Sequence, residues 1–278
     1  MMTQEKKAQA LRALHTGREL LLLPNVWDAA SACIIEAAGF PAIATSSGGI
    51  AFSLGYPDGQ KIPRDEMLAA VARIVRAVGV PVTADVESGY GNSPEAAADT
   101  ARAVIAAGAV GMNLEDVSDD GVTPLVDLTL QLEKIKAVRE AAVALHVPLV
   151  LNARTDVYLL QVGEPAGRYD EALRRLAAFR DAGADCVFVP GVRDAAIIGR
   201  FVSDLRCPLN ILVGPGSPSI PDLRKLGVAR VSLGSSAMRA SLGVLRRIAQ
   251  ELRNTGTYDA LDGAPSYAET NELLTKAT

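Results

Sequence analysis

The sequence predicts a (β/α)8 barrel, and three observations predict it. Short apolar, β-branched runs alternate with longer Ala-, Leu- and Arg-rich stretches of helical periodicity. Eight such runs occur, at residues 20–23, 42–45, 81–86, 110–115, 148–154, 185–189, 208–213 and 230–233. The length of 278 residues suits a single barrel. Spacing alone leaves an open, doubly wound sheet as the alternative.

The helical stretches close on a shared phrase, Ala38-Gly39-Phe40, Val78-Gly79-Val80, Ala107-Gly108-Ala109, Ala182-Gly183-Ala184 and Leu226-Gly227-Val228. A glycine there suits a left-handed helix cap that returns the chain to the next strand, so the phrase marks the N-terminal rim of a parallel sheet. No linker interrupts the pattern, and residues 1–278 read as one barrel domain. Residues 254–278, with Gly256, Gly263 and Pro265, are expected to pack outside the barrel or on a neighbouring subunit.

Composition excludes several classes of function. Hydrophobic residues make up 49% of the chain and charged residues 22%, which is globular, and the net charge of −4 gives no footprint for nucleic acid or an anionic membrane. The opening residues carry no apolar signal core and no segment approaches membrane-spanning length, so a cytoplasmic protein is expected. The three cysteines, Cys33, Cys186 and Cys207, are widely spaced in apolar surroundings and read as core thiols rather than as disulfides or a zinc site. His15, in the opening helix, and His146, before the fifth strand, read as structural or exposed.

In parallel barrels the chemistry sits where strands end. The third strand ends in Asp85-Val86-Glu87-Ser88-Gly89-Tyr90-Gly91, and strand alternation sends Asp85 and Glu87 to one side. The fourth ends in Asn113-Leu114-Glu115-Asp116, which aims Asn113 and Glu115 at the neighbouring part of the mouth. A single acid is usually solvated or ion-paired, but three on adjacent strand ends favour a hard divalent cation with oxygen ligands, Mg²⁺ first and Mn²⁺ as a substitute. The fifth strand ends in Asn152-Ala153-Arg154-Thr155-Asp156. An inward Arg154 needs an anionic partner: a substrate carboxylate, or Glu115 or Glu87. After the second strand, Thr45-Ser46-Ser47-Gly48-Gly49 offers amides and hydroxyls to an anion, and Asp58 follows in a turn.

These motifs, with Pro24-Asn25-Val26-Trp27-Asp28-Ala29-Ala30-Ser31-Ala32 after the first strand, resemble the isocitrate lyase/phosphoenolpyruvate mutase superfamily. Four motifs fall in order at successive strand ends and cover most of the chain. The resemblance is nearest to the oxaloacetate decarboxylase and dimethylmalate lyase-like members. It implies a Mg²⁺ site with Asp85 as direct ligand and Asp58, Glu87 and Glu115 on the ion's waters. It also implies a 2-oxo acid held by Arg154 and the Ser46-Ser47-Gly48 segment, with Trp27 over the ligand, although a core aromatic is the plainer role for Trp27. Asn210, on the seventh strand, joins the candidate substrate-binding residues, and Arg154, Asp58 and Glu115 are the candidate catalytic groups. The resemblance further implies an eighth helix exchanged between subunits of a homotetramer, a dimer of dimers.

The chain departs from the resemblance in one loop. Isocitrate and methylisocitrate lyases carry a Lys-Lys/Arg-Cys-Gly-His segment after the fourth strand, where this chain has Val117-Ser118-Asp119-Asp120-Gly121-Val122. No cysteine acid is available there, and Asp119 and Asp120 would repel a phosphonate dianion, so a non-phosphorylated 2-oxo acid or dicarboxylate is the expected small-molecule partner. The expected function is a Mg²⁺-dependent lyase that cleaves or decarboxylates a small 2-oxo acid or substituted malate through a stabilised enolate. Phosphorus–carbon chemistry, a non-catalytic 2-oxo acid binder, and a phosphate-binding barrel using Gly214, Gly216 and Gly234-Ser235-Ser236 are the alternatives. No general acid is evident, since Tyr56 and Tyr158 more often serve packing or hydrogen bonding.

Overall fold

The computed structural model describes residues 2–17 and 19–275. Its strands are β1 (Leu21–Leu23), β2 (Asn25–Val26), β3 (Ile43–Thr45), β4 (Val82–Asp85), β5 (Gly111–Glu115), β6 (Val150–Arg154), β7 (Cys186–Phe188), β8 (Leu209–Leu212) and β9 (Arg230–Ser232). All ladders are parallel, in the order β1-β9-β8-β7-β6-β5-β4-β3-β2. The two ends of that order are consecutive in the chain. Pro24 separates them, because it has no N–H to give to a ladder. Leu21–Leu23 pair with β9, Asn25–Val26 pair with β3, and the ring closes. The result is the barrel, and the open sheet is excluded. Seven of the eight expected strands contain the observed ones, while the first continues past Pro24 to Val26.

The helices alternate with the strands: α1 (Gln4–Thr16), α2 (Ala29–Ala37), α3 (Ser47–Ser53), α4 (Arg64–Ala77), α5 (Pro94–Ala106), α6 (Leu128–Ala144), α7 (Arg168–Asp181), α8 (Ala195–Leu205), α9 (Ile220–Lys225), α10 (Ser236–Asn254) and α11 (Tyr267–Thr275). Four of the five expected cap glycines adopt positive φ: Gly39 at 87°, Gly108 at 89°, Gly183 at 110° and Gly227 at 86°. Gly79 does not. Helix α4 ends in an extended Val78, and the Gly79 and Val80 amides donate instead to the Glu36 carboxylate at 2.7 and 3.0 Å. A side chain from α2 therefore replaces the left-handed cap.

Helix α1 is the floor of the barrel. Its Ala8 and Leu11 are fully buried in a cluster with Leu21, Leu23, Ala42, Ala44, Val110 and Val150. Burial of a leucine of this kind contributes about 1.5–3 kcal/mol. His15, on the same helix, is buried, whereas His146 is exposed in a left-handed turn. At the other end of the chain, α10 leaves the ring and buries only Met238 of its nineteen residues, while Leu242, Leu245 and Leu252 stay exposed. Helix α11 returns to touch α2, and residues 276–278 lie outside the described residues. Among the described residues, no helix is long and apolar enough to cross a membrane. Cys33 and Cys186 are buried, Cys207 is half-buried, and all three are free thiols.

Candidate active site

A cavity of about 250 Å³ opens at the strand C-termini. It is smaller than the roughly 300–1,000 Å³ of sites for drug-sized ligands, which suits a small metabolite. Ser46, Ser47, Gly48, Asp58, Asp85 and Arg154 all line it. Six of the residues expected from sequence are thus brought together. Glu87 and Glu115 stand behind this lining. Trp27 is half-buried at the exit of β2 with its Cβ beside Gly49, and it does not line the cavity. Asn210 is fully buried in the barrel, exchanging 3.3 Å hydrogen bonds with Ser232 and likewise absent from the lining.

Asp85 is fixed from three sides. Its Oδ2 accepts from the Ser47 amide at 3.1 Å and the Ser47 hydroxyl at 2.8 Å, and its Oδ1 accepts from Asn113 Nδ2 at 3.2 Å. The segment expected to bind an anion therefore forms the first turn of α3. Ser46 caps that helix by accepting from the Gly49 amide at 3.1 Å. A Cβ at Gly48 would lie 2.8 Å from Asp58 Oδ2, so a side chain there would require the Asp58 carboxyl to move aside.

The remaining acids form a charged ring. Glu87, with φ of 52°, accepts from the Gln60 amide through Oε2, while its buried Oε1 has no partner. Burial, then the charges of Asp85 and Asp58, push its carboxyl up to about 8. Asp58 is raised as well, by desolvation and by Asp85. Burial raises Glu115 well above the usual carboxylate range, although Arg154 opposes it. Arg154 Nη1 lies 2.8 Å from Glu115 Oε2, while its Nε and Nη2 donate to Asp156 Oδ1 at 3.0 and 2.7 Å. Desolvation would lower the guanidinium, but Asp156 and Glu115 outweigh it and hold it charged. Of the partners expected for Arg154, Glu115 is the one found.

Several residues that sequence reasoning passed over support the ring. Lys134, fully buried on α6, donates to the Ser88 and Gly91 carbonyls at 2.5 and 3.2 Å. Gln60 binds the same loop through the Glu87 carboxylate, the Ser88 hydroxyl and the Tyr90 amide. Arg175 on α7 reaches Asp116 Oδ2 at 3.2 Å. Below the cavity, Arg230 donates to Asn113 Oδ1 at 3.4 Å and meets His15 Nε2 at 3.5 Å. Local pattern carries no signal for these, because each depends on a partner at least 27 residues away. The loop with Asp119 and Asp120 holds no cysteine and is folded on itself, with Asp120 accepting from the Val122 and Thr123 amides at 2.7 and 2.8 Å.

Among the described residues, no three His, Cys, Asp or Glu side chains converge to hold a metal directly. The candidate donors Asp85, Asp58, Glu87 and Glu115 are all carboxylates, a set that does not suit zinc, which favours histidine nitrogen and cysteine sulfur. It fits Mg²⁺, which keeps several waters and takes one or two carboxylates. The buried, unpartnered Glu87 Oε1 and the Glu87, Asp58 and Glu115 carboxyls, raised first by burial and then by neighbouring carboxylates, are groups whose charge a cation would stabilise.

Residues 11–253 match the family model described as phosphoenolpyruvate phosphomutase. The chain belongs to the phosphoenolpyruvate phosphomutase family. Within the wider isocitrate lyase/phosphoenolpyruvate mutase superfamily, this family member is 29% identical to 2-methylisocitrate lyase of Escherichia coli K12 over 265 residues, 92% of this chain and 88% of the relative. It is also 29% identical to oxaloacetate decarboxylase of Rhodopseudomonas palustris CGA009, over 99% of this chain and 95% of the relative. Among solved structures, a Burkholderia cenocepacia J2315 protein provisionally described as a lyase/mutase superposes with a TM-score of 0.91 at 40% identity, covering 97% of this chain and 95% of that one. A phosphonopyruvate hydrolase in complex with oxalate and Mg²⁺ gives a TM-score of 0.86 at 28% identity, covering 99% and 96%. Enzymes named as lyases and decarboxylases thus surround this phosphomutase-family barrel.

Proposed function

We propose that this protein is a Mg²⁺-dependent lyase that breaks a carbon–carbon bond, by cleavage or decarboxylation, in a small 2-oxo acid or substituted malate. The observation that carries the reading is the meeting of Asp85, the Ser46–Gly48 turn and Arg154 in one small cavity. The lyase and decarboxylase relatives support the reaction class, and the Mg²⁺ and oxalate of the phosphonopyruvate hydrolase structure support the ligands.

Asp85 would hold the ion directly, with Asp58, Glu87 and Glu115 on its waters. When bound, Mg²⁺ would supply a Lewis acid that draws charge from the carbonyl and carboxylate oxygens of the 2-oxo acid. The protein's own groups do the rest. Within the Ser46–Gly48 turn the Gly48 amide would seat the carboxylate, since the Ser46 and Ser47 amides already donate to the Val26 carbonyl and to Asp85. Arg154, held rigid by Glu115 and Asp156, places fixed positive charge beside the oxygens where charge builds as the bond breaks. Phe188, under the Arg154 guanidinium with 5.7 Å to its ring centre, keeps that side of the cavity apolar. None of the three cysteines lines the cavity, so a cysteine acid has no place in this scheme.

The reading extends to assembly. The exposed Leu242, Leu245 and Leu252 on α10 support exchange of this helix with a second copy, in a dimer of dimers. Light scattering at micromolar concentration checks it, and a monomer would count against it.

The test of function is thermal stability with Mg²⁺ and pyruvate, oxaloacetate, 2-oxoglutarate or oxalate, following consumption of each acid in parallel. A Mg²⁺-dependent shift that Asp85→Ala abolishes is the expected result. No shift with any acid would remove the reading.

A further inference from the structure

The cavity holds two arginines, and they are in opposite states. Arg154 has all its guanidinium nitrogens committed, Nη1 to Glu115 and Nε and Nη2 to Asp156. Arg239, in the first turns of α10, lines the same cavity, yet its Nη2 donates only to the Ser236 hydroxyl at 3.3 Å. Among the described residues, no carboxylate lies within ion-pair distance of Arg239. The two ends of the cavity are also apart in the ring. Asp85 closes β4, Arg239 follows β9, and β3 and the split first strand stand between them. Pro190 and Leu212 supply apolar wall.

We propose that Arg239 is a specificity-determining residue that binds a second, distal carboxylate of the substrate, so that the site selects dicarboxylates over monocarboxylic 2-oxo acids. The inference rests on the 2-oxo acid reading above and adds the residue that reads the substrate's distal carboxylate. An arginine presents a planar fork that matches a carboxylate with two parallel hydrogen bonds, and an uncommitted one at the rim is available for it. A substrate anchored at Asp85 by its 2-oxo acid end extends its other end along the apolar wall. Only an acid with a second anionic group reaches Arg239 with matching charge. Ser235 leaves the first turn of α10 without a side-chain cap, which adds backbone amides of favourable sign on the same side.

The experiment measures binding with Mg²⁺ by calorimetry, and kcat and KM where an acid is consumed, for wild type, Arg239→Gln and Arg239→Lys. Oxalate and pyruvate probe the proximal end alone. Oxaloacetate and 2-oxoglutarate carry the distal carboxylate. Loss of a charge-assisted pair is expected to weaken oxaloacetate and 2-oxoglutarate by on the order of tenfold or more in Arg239→Gln, mainly in Kd and KM. Oxalate and pyruvate should stay within about twofold, and Arg239→Lys should fall between, since it keeps the charge and loses the fork. Equal weakening of both groups, or unchanged dicarboxylate binding in Arg239→Gln, would overturn the proposal. A wild type that binds oxaloacetate and 2-oxoglutarate no more tightly than pyruvate overturns this inference alone. Silence of the wild type with every acid overturns the 2-oxo acid reading and this inference together.

Discussion

The ammonium of Lys134, on the outer helix α6, donates to the carbonyl oxygens of Ser88 and Gly91 and so ties the loop that carries Glu87 to the scaffold. Burial pulls this amine down to about 8. Lys134→Met keeps the stem and removes the donor, leaving two carbonyls unsatisfied. The expected loss is about 1–3 kcal/mol in urea denaturation, with weaker Mg²⁺ binding by the folded variant. Stability and Mg²⁺ affinity equal to wild type would show that the loop holds without it.

Gly48 and Asp58 make a second, steric pair. Adding a methyl at Gly48 places a Cβ 2.8 Å from Asp58 Oδ2, so the carboxyl must swing aside. Because that carboxyl is the end of a flexible side chain, Gly48→Ala is expected to keep its melting temperature within a few degrees of wild type. Turnover should fall by about tenfold or more, the scale of a misplaced catalytic group. Asp58→Asn should reproduce the loss, and full activity in either variant would remove Asp58 from the chemistry.

Acid should weaken the fold through His15. Desolvation, then the Arg230 charge, lower its imidazole to about 4 from the ordinary 6.5. A base depressed on folding is neutral in the native state. Its contribution is therefore complete above pH 6.5 and is lost as pH falls toward 4. At about 1.4 kcal/mol per unit of pKa, the total is on the order of 3 kcal/mol. Urea denaturation at pH 7 and pH 4.5 should show that His15→Gln loses less stability over this interval than wild type.

Arg175 joins α7 to the strand-end residue Asp116, at 3.2 Å and nearly out of solvent. Removing Arg175 takes the cation from buried Asp116 but leaves it the Thr155 hydroxyl and the Asp156 amide, so Arg175→Ala is expected to cost about 2–3 kcal/mol. A variant within about 1 kcal/mol of wild type in urea would contradict this.

The ring itself was legible because strand and helix periods recur, and because each strand end announces its polar residues by alternation. Asp85 and Arg154 were readable in that way, and both line the cavity. What escaped was tertiary. Lys134 lies in an ordinary helical sequence, and its burial follows only from the packing of α6 on α5 beneath the Ser88 loop. The commitment of Arg154 to Asp156 as well as Glu115 depends on side-chain rotamers, which alternation does not fix. Gly79 misled for a similar reason, since a carboxylate from another helix took over the work of the left-handed cap. Arg239 sits after the last strand in a helix that otherwise reads as an outer one, and nothing in its spacing points inward.

His15, Arg230, Asn113 and Asp85 form an unbroken file of polar contacts from α1 to the cavity. The barrel accordingly lacks an insulating apolar layer on that line. A proton gained at His15 sets a second positive charge against Arg230, one polar group below the residue that fixes Asp85. Substitutions at the closed end are therefore expected to register at the open one, as altered Mg²⁺ affinity in His15→Gln and Arg230→Met measured by calorimetry. A tag or truncation that disturbs α1 would then change the site while leaving every cavity residue in place.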